Sequence, residues 1–127
     1  MQMNKKTLFT IMLLMIASIS YAKRPAPKEV SAIIHGNYVY VVTHWAHDNG
    51  TDQNGGYIGV LDAKTGVKDW GIQIYKTEYD PNIEKDIQDV FITNTEINFF
   101  GTSLKVTDEL GRKFNVDLIN KTVSKAK

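Results

Sequence analysis

Lys113-Phe114-Asn115-Val116-Asp117-Leu118 places an apolar side chain at every second position. Successive side chains of a strand point to opposite faces, so Phe114, Val116 and Leu118 share one face and Lys113, Asn115 and Asp117 the other. A helix has no use for that period, and the stretch predicts a strand with one covered and one wetted face. The same signal recurs toward the N-terminus in Leu104 with Val106, in Ile97–Phe100 and in Val90–Thr93. Trp70, Ile72 and Ile74 alternate with Asp69, Gly71, Gln73 and Tyr75, and Tyr57–Leu61 forms another short run. Tyr38–Thr43 is β-branched and aromatic on both faces, which predicts a central strand, and Val30, Ala32 and Ile34 alternate with Ser31 and Ile33. Turn residues such as Gly36-Asn37 separate these runs.

The pattern predicts an all-β domain. Its expected form is an antiparallel meander of about eight short strands in two similar four-stranded units, built as a small sandwich or barrel or as two blade-like sheets. Glu78–Asp89 interrupts it as an acidic, solvated connector, in which Asp80 is placed to cap and Pro81 to start a short helical turn bearing Ile83 and Ile87.

The halves, residues 29–76 and 88–127, resemble each other. Gly36–Val42 is echoed by Asn94–Phe100 at an offset of 58, and Val60–Val67 by Val116–Val123 at an offset near 55. A rival alignment pairs Asp62 with Asp108. Leu61-Asp62-Ala63-Lys64-Thr65-Gly66-Val67-Lys68-Asp69-Trp70 resembles the repeat motif of quinoprotein-type (PQQ-like) β-propeller blades, in which an Asp-x-x-Thr-Gly turn leads to a Trp on the next strand. The resemblance implies a local strand–turn–strand unit. In it Asp62 bonds backbone N–H groups, Gly66 closes the turn in the left-handed region, and Trp70 faces inward. The second unit has Asn120-Lys121-Thr122 in place of the Gly and lacks the Trp. A propeller takes about 4–8 blades and the chain has room for two. No residue matches a cofactor-binding position, so no quinone and no other cofactor is expected.

Residues 1–22 read as a secretory signal peptide: Lys5 and Lys6, the apolar run Leu8–Ile16, and a cleavage point after Ser20-Tyr21-Ala22. The expected destination is the periplasm or the medium, with no stable membrane insertion after cleavage. Residues 23–28, with two prolines and three charges, form an extended leader. Of the 15 basic residues, loss of Lys5 and Lys6 leaves 13 against 14 acidic ones, a balance unsuited to nucleic acid. The absence of cysteine excludes disulfides and thiol chemistry.

The segment from His44 through Trp45, Ala46, His47, Asp48, Asn49, Gly50, Thr51, Asp52, Gln53, Asn54 and Gly55 to Gly56 lies between two strands and holds two of the three histidines and one of the two tryptophans. A loop of this length inside a compact domain is uncommon and often functional. One reading is recognition of a periplasmic or extracellular protein, such as a toxin or hydrolase that is inhibited. Trp45 would then be the aromatic anchor, with His44, His47, Asp48, Asn49 and Asp52 around it. A second is a small metal-binding protein, with His44, His47, Asp48 and Asp52 as ligands for zinc- or copper-like ions, although the spacing matches no closed zinc motif. A third is a solvated hairpin loop whose Trp45 packs on the sheet. A self-associating, blade-like structural subunit is a further alternative, because two blades leave open edges. Ser31, Ser103 and Ser124 lack the context of an activated nucleophile, and no glycine loop leads into a helix, so the chain is expected not to be an enzyme.

Overall fold

The computed structural model describes residues 24–127. The predicted signal peptide, residues 1–22, and Lys23 lie outside the described residues.

Eight antiparallel strands form two four-stranded sheets. In the first, β1 (Ile33–His35), β2 (Tyr38–Val42), β3 (Tyr57–Asp62) and β4 (Lys68–Gln73) pair in chain order. In the second, β5 (Ile92–Ile97), β6 (Ser103–Asp108), β7 (Lys113–Asp117) and β8 (Thr122–Lys125) do the same. Among the described residues no strand of one sheet pairs with a strand of the other, so the barrel alternative is not what forms.

Register fixes which side chains turn inward. Ile33 faces Tyr40, Tyr40 faces Val60 and Val60 faces Trp70, while Val42, Ile58 and Ile72 make the next row. On the second sheet Leu104 faces Ile97 and Val116, and Val106 faces Phe114. These faces meet in one core in which Ile58, Ile74, Ile92, Leu104, Val106 and Val116 are buried. Each sheet thus withdraws from water an apolar surface it could not cover alone.

Three expectations need correction. Ile97–Phe100 is not a strand: β5 ends at Ile97, and Phe99 and Phe100 stand exposed on the β5–β6 turn. The cause is Asn98, whose Oδ1 accepts the backbone N–H groups of Thr102 (2.8 Å) and Ser103 (3.0 Å), together with Gly101 at φ 70°. In β1 the inward residue is Ile33, and Ile34 is 75% exposed. In the connector Asp80 does start a turn, with Oδ1 accepting Asn82 N–H at 2.9 Å, but the helical piece is a 3-10 turn over Asp86–Gln88 and both Ile83 and Ile87 are exposed.

The repeat is structural for its second segment alone. Asp62 ends β3 and Asp117 ends β7, and each accepts two backbone N–H groups, from Lys64 and Thr65 and from Ile119 and Asn120, at 2.8–2.9 Å. The left-handed residue that follows is Gly66 (φ 72°) in one turn and Lys121 (φ 57°) in the other, the same offset of 55. Asp108 lies at the β6–β7 turn and is no counterpart of Asp62, and Gly36–Val42 covers a turn and β2 while Asn94–Phe100 covers the end of β5 and a turn.

Trp70 points inward as its alternation predicts, yet it is half-buried and outside the core cluster. It lies where the hairpin ends of the two sheets diverge. His35 Nε2 meets the Phe99 carbonyl oxygen at 3.2 Å across that end, and Lys121 Nζ sits 5.2 Å from the Trp70 ring.

Candidate functional site

The long connection between β2 and β3 closes the opposite end of the sandwich. It is a folded knob rather than a solvated loop. A single helical turn, α1 (Ala46–Asn49), follows Trp45 and stops at Gly50, whose φ of 76° and N–H bond to the Ala46 carbonyl (2.9 Å) end it. No side chain caps the turn at Trp45. Instead, Asn54 Oδ1 accepts Ala46 N–H at 2.9 Å from farther along the chain.

Buried amides hold the rest. Asn49 is 4% exposed, and its Oδ1 accepts both the N–H (2.8 Å) and the hydroxyl (2.7 Å) of Thr51. Gln53, also 4% exposed, donates from Nε2 to the carbonyls of Gly55 (3.1 Å) and Tyr75 (3.0 Å) and accepts Thr77 N–H at 2.8 Å. It therefore supplies the backbone of the β4–β5 connector with partners that no strand provides.

Asp89 joins the knob to that connector. This buried carboxylate accepts the Tyr79 hydroxyl at 2.6 Å and Asn54 Nδ2 at 3.0 Å. Burial, then the hydrogen bond to Asp89 and its charge, push the Tyr79 phenol above its ordinary range. The leader enters here too. The Arg24 guanidinium lies 5.1 Å from the Phe91 ring centre, pairs with Glu109 and donates to the Asp89 carbonyl.

The predicted site residues separate into two groups. His44 and Asn49 are buried. His44 packs edge-on against Phe91 at 5.2 Å, and its Nε2 lies 3.0 Å from the Lys28 carbonyl oxygen, so that nitrogen donates. Its buried Nδ1 has no partner among the described residues. Trp45, His47, Asp48 and Asp52 are exposed on the outside of the knob. Trp45 is 38% exposed and rests against Phe91 at 5.7 Å, and His47 and Asp48 pair at 3.4 Å.

The metal reading needs His44, His47, Asp48 and Asp52 together, and the fold parts His44 from the other three. Among the described residues no three His, Asp or Glu side chains gather as a ligand set. The turn residues lie far from the knob: Asp62 and Gly66 at the β3–β4 turn and Trp70 on β4. The sequence did not mark Phe91, on which Trp45 rests, or Gln53 and Asp89, which tie the knob to the β4–β5 connector. Their signal was weak, because a glutamine or an aspartate announces a partner only once the partner's position is known.

No protein-family model matches the chain, and no curated protein matches it significantly. Among the described residues no helix is long and apolar enough to cross a membrane.

Proposed function

We propose that this is an exported, non-enzymatic binding module of the periplasm or medium that recognises a protein partner through the outer face of the 44–56 knob. The contact centres on Trp45, with His47, Asp48 and Asp52 around it. One observation carries the reading: Trp45 stays 38% exposed on a knob whose backbone is held by its own buried amides. A rigid aromatic anchor loses little entropy on binding, and tryptophan is enriched among residues that dominate interfaces. His44 and Asn49 act from below, as the support of that surface.

The test is capture of a partner from cell-envelope extract by the wild-type protein, repeated with variants. Trp45→Ala should weaken binding by about 2 kcal/mol or more. Because Trp45 also packs on Phe91, His47→Ala and Asp48→Ala provide the cleaner control: both side chains are exposed, so their loss should alter binding and leave the melting temperature unchanged. A partner held equally by all three variants would remove the knob from the interface.

A further inference from the structure

The hairpin end of the sandwich carries a second feature, unrelated to the knob. Between the sheets lies a cleft of about 360 Å³ walled by Tyr38, Tyr40, Trp70 and Leu118, with His35 and Lys121 at its rim. That volume lies within the range of small-molecule sites.

Lys121 is the telling residue. It is the one non-glycine with positive φ among the described residues, at 57°. The matching position of the sister turn is Gly66, which occupies the same region without strain. A lysine costs stability where glycine would relax the turn, and such strain persists most often at functional positions. Its effect here is to set an ammonium group 5.2 Å from the Trp70 ring, over the cleft.

The walls supply the rest. Trp70 is an inward residue left half-covered, although full burial of a tryptophan is worth more to stability. Tyr38, Tyr40 and Trp70 each bring a polar group to the lining, two phenol hydroxyls and an indole N–H. The cleft thus combines aromatic surface with these groups, His35, Asn37 and one ammonium group, that of Lys121. Asp69, the exposed neighbour of Trp70 on β4, is the one acid in that lining.

We propose that this cleft binds a small organic anion, a carboxylate or phosphate carried on an apolar or planar body. Lys121 and the phenol hydroxyls meet the anionic group, and Trp70, Tyr40 and Leu118 meet the body. A cationic ligand is disfavoured because the Lys121 ammonium group, 5.2 Å from the Trp70 ring, would repel it. A neutral ligand leaves the strained lysine unexplained.

The experiment is nuclear magnetic resonance on isotope-labelled protein, in which the two tryptophans, Trp45 and Trp70, give separate indole N–H signals. Phenylacetate and phenyl phosphate are the anionic probes, and their comparison distinguishes the two headgroups. Benzyl alcohol and benzylamine are the neutral and cationic controls. Either anion should shift the Trp70 signal saturably at millimolar concentration while Trp45 stays still, and the controls should bind at least about tenfold more weakly. Lys121→Gly should keep or raise the denaturation midpoint and lose at least about tenfold in anion affinity. No saturable shift with either anion, an equal response to benzylamine or benzyl alcohol, or unchanged affinity in Lys121→Gly overturns the proposal. Because Trp45 reports the knob separately, failure here leaves the protein-binding reading intact.

Discussion

Gly55 and Gly66 both have positive φ, 80° and 72°, yet their surroundings differ. A Cβ on Gly66 would meet nothing within 4 Å, whereas one on Gly55 would lie 2.1 Å from the Val90 carbonyl oxygen. That oxygen also accepts the Tyr75 hydroxyl at 2.6 Å, so it cannot retreat freely. Gly66→Ala should therefore cost about 1 kcal/mol from backbone strain, and Gly55→Ala at least twice that, read as the difference in denaturant midpoints at constant slope. Equal costs would show that the β4–β5 connector yields easily. Acid sensitivity follows from single residues as well. Asp62 and Asp117 both have carboxyls held below the ordinary range, Asp62 chiefly by the backbone N–H groups of Thr65 and Lys64, and Asp117 chiefly by the backbone N–H and then the side-chain amide of Asn120. A lowered folded-state pKa means stability that is fully present above the unfolded value of about 3.9 and is lost as pH falls through the lower folded value. Asp62→Asn and Asp117→Asn keep an acceptor oxygen but no titrating group. Each variant should flatten the fall in melting temperature below pH ~4, being less stable than the wild type at neutral pH and converging on it in acid.

At the scale of elements the knob and its connector behave as one unit, because the side chain of Gln53 bridges them. Gln53→Ala would leave the Thr77 N–H and the Gly55 and Tyr75 carbonyls without those partners. We expect a loss of about 1–3 kcal/mol for the buried groups left unsatisfied. Amide exchange should accelerate at Thr77 while the N–H of Val106, in the middle of β6, stays protected. Unchanged exchange at Thr77 would mean that water replaces the glutamine. Elements also differed in how clearly the sequence announced them. The β3–β4 turn was legible because Asp62 and Gly66 are the residue types such a turn requires. The β7–β8 turn has the same shape but carries Lys121 at the left-handed position, so residue type concealed it and only the aspartate at the matching offset pointed to it. Helix α1 was not legible for a similar reason. Trp45 is no capping residue, and the acceptor that starts the turn is Asn54, a partner outside any local pattern. Phe99 and Phe100 invited a strand by their propensity, and the side chain of Asn98 with Gly101 outweighed that preference. Unusual residue types marked the 44–56 segment as the candidate site, but not which of them turn inward. Its division into buried His44 and Asn49 and exposed Trp45, His47, Asp48 and Asp52 depended on Phe91, which comes from the other half of the chain.

At the scale of the molecule, period-two patterning was enough to read two four-stranded meanders, because each strand states its own faces. How the meanders meet is not a local property, and alternation along Lys113–Asp117 would look the same in a sandwich, a barrel or a blade. The core settles the cooperativity of the whole. Ile58, Ile74 and Tyr75 come from the first half, Ile92, Leu104, Val106, Phe114 and Val116 from the second, and all are buried in one cluster. Among the described residues neither half has another layer to cover its apolar face, and a single sheet with that face wetted by water lacks the burial needed to offset its ordering entropy. Arg24 adds a long-range tie, reaching from the leader to Glu109 in the second half. Unfolding of the intact domain should therefore be a single transition, with circular dichroism and tryptophan fluorescence coinciding across denaturant. Peptides spanning 24–76 and 77–127 should each lack strand structure alone and recover it when mixed, as the shared core re-forms between them. A fragment that folds unaided would show that one sheet is stable without the other, and the two halves would then be separate units resting against each other rather than the two faces of one core.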